Sequence, residues 1–198
     1  MKTLNIIANQ YRNPLPSYTL RALMKQILEG MRAFHAAGLI HRDIKCSNIL
    51  LHSPPGSGRV HAKISDFGFA KSEDQMNEQI YAAGTRPYMA PELFKTPIQL
   101  TQKVDIYSLG ISFLYLITHK YPVNMPNYED QKKKLEQLKM IERPQEIKDD
   151  ILWNLLSQML EFDINKRIIA AEALQHPYFK GIQAAIDISP EQEELSYG

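Results

Sequence analysis

From Val104 to Ile117 the chain sets Val104, Ile106, Leu109, Ile111, Phe113, Leu114, Leu116 and Ile117 around every side of one helical pattern. A surface helix keeps a polar face, so a helix apolar all round must be covered by other elements on each side. The run is far shorter than the ~20 residues needed to cross a bilayer. It therefore predicts the central helix of a soluble core. At 198 residues the chain can form one sizeable domain around it.

Other elements can be read on either side. Residues 2–8 read as a short helix. Ser17 is expected to cap a long amphipathic helix, with Leu20, Met24, Ile27, Leu28, Met31 and Phe34 at helical spacing and a stop near Gly38. Two short β-prone runs, Asn48 to His52 and His61 to Ser65, flank Ser53-Pro54-Pro55-Gly56-Ser57-Gly58. That turn signal makes them a hairpin. Residues 66–92 lack periodicity and read as a long functional loop. Residues 125–180 form a series of amphipathic helices, and Trp153 is expected in the core. The segment 181–198 is an acidic tail. The expected fold class is mainly α: a helical bundle around a buried central helix, with a small β-hairpin.

Three motifs follow in order. His41-Arg42-Asp43-Ile44-Lys45-Cys46-Ser47-Asn48 fits H-R-D-x-x-x-x-N, Asp66-Phe67-Gly68 comes eighteen residues after Asn48, and Ala90-Pro91-Glu92 completes the set. Any triplet alone arises by chance; singly, Asp43, Asn48 and Asp66 would be ordinary capping or turn residues. Jointly they resemble the eukaryotic-type serine/threonine protein kinase family, over residues 1 to about 180. The resemblance implies a protein-kinase-like C-terminal lobe whose hairpin carries the catalytic and metal-binding loops. It implies phosphoryl transfer from ATP to a protein hydroxyl, with Mg²⁺ as the metal. Such chemistry needs an in-line nucleophile and charge compensation on the phosphates. By resemblance, Asp43, Lys45 and Thr85 are the catalytic residues, Lys45, Asn48, Leu50 and Asp66 contact the nucleotide, and Asn48 and Asp66 supply oxygens to the metal. Asp105 is expected to hold the catalytic loop's backbone, Arg167 to pair with Glu92, and His41 and Phe67 to lie in an internal hydrophobic spine. His176-Pro177-Tyr178-Phe179 resembles the family's closing motif.

The family's N-terminal lobe carries a Gly-rich loop, a strand lysine and a glutamate that pairs with it. Gly56-Ser57-Gly58 and Ala62-Lys63-Ile64 are only superficially similar and belong to the hairpin. The chain is therefore expected to represent the C-terminal lobe alone, to fold, and to transfer no phosphate by itself. The surface around Leu50, His41 and Phe67 would then lie uncovered and invite a partner. The alternative is a one-lobed scaffold or binding module without catalysis. Residues 77–83 contain no Ser or Thr, so Glu73, Asp74 and Glu78 are expected to set the loop by built-in charge, with a phosphate on Tyr81 as the competing idea.

Net charge is +1, which gives no global field for nucleic acid or membrane surfaces. The run Lys132-Lys133-Lys134 reads as a solvated helix face. Cys46 is the single cysteine; it excludes an internal disulfide and suits a reducing, cytoplasmic location. It reads as a passive position more than as a reactive thiol.

Overall fold

The computed structural model describes residues 2–10, 15–72, 84–182 and 184. Glu73, Asp74, Glu78, Tyr81 and nearly all of the acidic tail lie outside them. Lys2–Thr3 forms β1 and Leu4–Ala8 forms α1. Ser17–Ala36 is α2, Leu39–Ile40 β2, Ile49–His52 β3, His61–Ile64 β4 and Lys71–Ser72 β5. Lys103–Thr118 is α3, followed by α4 (Tyr128–Gln137), α5 (Asp150–Met159), α6 (Ala170–Ala173) and α7 (Pro177–Lys180).

Helix α3 is the centre. All of its residues are buried except Lys103, Tyr115 and Ile117. Its polar side chains are satisfied from within the core: Ser112 Oγ donates to Ser108 O at 2.8 Å, Thr118 Oγ1 to Leu114 O at 2.8 Å, and Ser108 Oγ reaches Tyr88 O at 2.8 Å. Gly110 permits a close approach, because a Cβ there would lie 2.9 Å from Leu160 side-chain atoms. Helix α2 turns Leu20, Leu23, Met24, Ile27, Leu28 and Met31 into the same core.

The hairpin is real but is part of a three-stranded antiparallel sheet, β1-β3-β4. The register sets Ile49 opposite Ile64 and Leu50 opposite Lys63. β1 corrects the expected helix over residues 2–8: Lys2 and Thr3 pair with Leu51 and Leu50 instead, and the helix starts at Leu4. A second pair, β2–β5, was not anticipated; two-residue strands are too short to show a periodicity. On the outer edge of β4, Gln26 Oε1 accepts from Ala62 N at 2.9 Å and Gln26 Nε2 donates to Val60 O at 3.2 Å.

Ser17 does not cap α2. It is the first helical residue, and Pro16 occupies the cap position with no side-chain bond. Proline's fixed φ presets an extended residue that leads into the helix. Asn127 and Asp149 do cap α4 and α5, accepting from Asp130 N, and from Ile151 N and Leu152 N. Trp153 is only half-buried, at the margin of the core. Lys133 and Lys134 face solvent and Lys132 is half-buried.

The lower part of the molecule is locked by one ion pair. Arg167 and Glu92 side chains are 0% and 1% exposed. Their two parallel bonds measure 2.5 Å and 2.9 Å, and Arg167 also donates to Glu161 O and Lys103 O. Removing one partner strands a buried charge. Glu92→Gln should therefore destabilise the protein by about 3–5 kcal/mol, read from urea unfolding midpoints.

His176, buried at the start of α7, accepts from Tyr178 N on Nδ1 and places Nε2 2.8 Å from Asn154 Oδ1. Burial pushes its pKa below the usual histidine value. The unfolded chain then takes up a proton near the ordinary imidazole pKa, at which the folded ring stays neutral. This contribution to stability is therefore present above that value and is lost as pH falls through the depressed folded one. Thermal midpoints at pH 7.5 and 5.5 should differ less in His176→Asn than in the wild type.

Candidate functional site

The segment 41–48 leaves β2 and reaches β3 as an irregular loop that ends in a 3-10 turn, Cys46–Asn48, and is held from below by α3. Asp105, 1% exposed, accepts from His41 N at 2.8 Å, from Arg42 N at 2.9 Å and faces His35 Nε2 at 2.9 Å. These bonds hold Arg42 in the left-handed region, at φ 73°. That conformation costs a non-glycine residue roughly 1–2 kcal/mol. The turn at Arg42 presents Asp43 on the other side of the backbone.

Both oxygens of the buried Asp43 carboxylate are engaged. Oδ1 accepts from Thr85 N at 3.1 Å and Thr85 Oγ1 at 2.8 Å. Oδ2 accepts from Lys45 Nζ at 2.6 Å and Asn48 Nδ2 at 3.2 Å. Lys45 Nζ also donates to Thr85 Oγ1 at 2.9 Å, so one cation addresses the carboxylate directly and through the hydroxyl. Thr85 can reach this place because of Gly84. With φ at 127°, a Cβ on Gly84 would lie 2.7 Å from Arg42 O; the backbones touch where no side chain fits.

Asn48 also donates Nδ2 to Asp43 O at 2.9 Å. Its two amide donors are thus turned toward Asp43, which leaves Oδ1 facing away, with Ser47 Oγ at 3.4 Å. Asp66 follows β4 in the left-handed region and its side chain is exposed. The preceding Ser65 is fastened to Asn48 O by its N–H at 2.9 Å and its hydroxyl at 3.0 Å. This contact brings Asp66 alongside Asn48, although eighteen positions separate them. His41 Nε2 lies 3.0 Å from Ser65 O, a second tie between the two loops. Leu50 is half-buried on β3.

Residues 2–179 match the protein kinase domain. The chain belongs to this family. Relatives of this kinase chain include human mitogen-activated protein kinase 12, 32% identical over 197 residues, covering 85% of this chain and 52% of the relative. Calcium-dependent protein kinase 6 of Plasmodium berghei (strain Anka) is 36% identical over 176 residues, covering 86% of this chain and 11% of that protein. The DNA damage response protein kinase DUN1 of Saccharomyces cerevisiae is 32% identical, covering 88% and 37%. The chain spans about half the length of the mitogen-activated protein kinases it matches. No helix among the described residues of the kinase chain is long and apolar enough to cross a membrane.

One surface expectation needs correcting. His41 is 0% exposed, because its ring sits against Phe34 and Phe67 with centroids 5.8 Å and 5.5 Å away. Phe67 itself is 53% exposed and Phe69 48%. The kinase chain thus leaves open the outer member of the aromatic group and covers the inner one.

Three residues of the site were not singled out from sequence. His35 shares Asp105, Ser65 bridges the two loops, and Gln131 reaches the loop after Thr85. Ser65 could have been found from its place beside Asp66. Gln131 stands in a polar run and gives no such signal. Cys46 is wholly buried, donates to Ser112 O at 3.6 Å, and burial pushes its thiol up to about 12. The thiolate is the reactive form, so native protein at pH 8 should take up almost no iodoacetamide. One equivalent should be incorporated in denaturant, counted by mass spectrometry.

Proposed function

We propose that this kinase chain carries the phosphoryl-transfer residues of a protein serine/threonine kinase, with a protein hydroxyl as acceptor and ATP as donor. The observation that carries the reading is the Asp43 carboxylate, held through both oxygens by Lys45, Thr85 and Asn48. A carboxylate so oriented can accept the proton of an acceptor hydroxyl brought up to it, and Lys45 sets a positive charge where a transferred phosphoryl group would lie.

The residues present suit Mg²⁺. It prefers hard oxygen donors and few protein groups. Asn48 Oδ1 turned away from Asp43, and the solvent-facing Asp66 carboxylate beside it, form such a donor set. When bound, the ion would offset charge on the phosphates. Asn48 and Asp66 would hold it, and Leu50 would lie beneath the adenine. Residues 1–180 are assigned to the C-terminal lobe and 181–198 to an acidic tail. A cytoplasmic location belongs to the same reading, supported by the one buried thiol.

On this reading, the residues named above would address one side of a nucleotide. Positioning by a full set of groups can be worth ~7–11 kcal/mol, so turnover is assigned to the whole protein and not to these 198 residues acting alone. The exposed Phe67 and Phe69 favour a second reading, a binding module without turnover.

One assay decides between them. With Mg-ATP and a generic serine/threonine peptide, the whole protein should phosphorylate at a rate that Asp43→Asn lowers by about 10²–10⁴-fold, while these 198 residues alone should not exceed their own Asp43→Asn control. Equal, background rates for the wild-type and Asp43→Asn forms of the whole protein would leave only the binding module.

A further inference from the structure

The segment that carries Thr85 is held at its far end as well as at the near one. Residues Arg86–Tyr88 form a single 3-10 turn, closed by Tyr88 N donating to Thr85 O at 2.9 Å and Met89 N to Arg86 O at 3.1 Å. Gln131, on α4, is 1% exposed. Its Oε1 accepts from Met125 N at 2.9 Å, and its Nε2 points to Val123 O at 3.4 Å and Arg86 O at 3.5 Å. One buried amide thus joins the turn, the 123–125 loop and α4. The Arg86 guanidinium donates back to Pro126 O, and the Tyr88 hydroxyl meets that of Tyr121 at 2.9 Å.

Burying a glutamine that deeply is costly unless its amide is bonded. Here both ends are used, and one of them is directed to the carbonyl that closes the turn next to Thr85. We infer that Gln131 is a positioning residue that holds the segment Thr85–Tyr88 in the shape an acceptor peptide meets beside Asp43. The inference rests on the function proposed above and assigns it a residue remote from the phosphates. Gln131 touches neither nucleotide nor acceptor. It acts through Arg86, while Thr85 keeps its own bonds to Asp43 and Lys45.

The test uses the whole protein with Gln131→Met, which keeps much of the volume and loses every bond of the amide. Arg86→Ala serves as an independent probe that cuts the tie to Pro126 instead. Loss of the clasp should raise KM for a serine/threonine peptide by ~10-fold, about one net hydrogen bond. KM for ATP should stay unchanged and kcat should move less. Hydrogen exchange at the Tyr88 and Met89 amides should quicken in both variants, while amides of α3 keep their protection. A folded Gln131→Met protein with wild-type peptide KM, or one whose ATP KM rises equally, overturns the clasp and leaves the proposed function standing. So does unchanged exchange at Tyr88 and Met89. If Gln131→Met does not fold, the same readouts on Gln131→Asn, one methylene too short to reach both Met125 N and Arg86 O, decide the point. A whole wild-type protein that transfers no phosphate overturns the proposed function, and the role of Gln131 toward an acceptor with it.

Discussion

The site depends on a carboxylate that takes no direct part in it. Asp105 lies in the first turn of the central helix, almost fully buried, and its oxygens face His41 N, Arg42 N and the His35 ring. A buried carboxylate with fewer donors would be a severe liability. With three, it becomes a fixed post on which an irregular loop can be hung. Without it, nothing in the segment 41–45 has a regular ladder to hold it, and Arg42 has no evident reason to stay at positive φ. The hydrophobic order of the core, carried by α3, is thereby converted into the position of the Asp43 carboxylate.

The same helix supports the site from two more directions. Ser108 reaches Tyr88 O in the turn after Thr85, and the carbonyl of Lys103 receives Arg167, whose other bonds hold Glu92. One rigid element thus sets the heights of both the loop with Asp43 and the segment with Thr85. The polar contacts between them, 2.8–3.1 Å long for Lys45 to Thr85 and Thr85 to Asp43, join parts that are already in register.

Much of this could be read in the sequence because it depends on residue type at fixed spacing. The buried helix was visible in its lack of a polar face, and the hairpin in its turn residues. The motif residues can be named from the sequence, and the pairing of Arg167 with Glu92 follows from the resemblance. Other features carry no such mark. β1 and β5 are two residues long, and strands of that length exist through their partners and not through their own pattern. His41 looked like part of an open surface, yet it is covered by Phe34, a residue that helical spacing assigned simply to the face of α2. The burial of Gln131 among Asp130 and three lysines depends on where two loops pass over α4, which no local window contains.

Gln26 has a bearing on how this molecule behaves in a crowd. Its side chain is an amide, the same group that repeats along a polypeptide, and it makes at Ala62 and Val60 the two bonds that a neighbouring strand would otherwise make. An open strand edge is a template on which other chains can assemble. By spending one glutamine of α2 there, the protein closes the hairpin that bears Asn48 and Asp66 against sheet extension. The edge is silenced by an imitation of backbone and not by charge, so raised salt, which screens charges but leaves such bonds in place, should not reopen it to self-association.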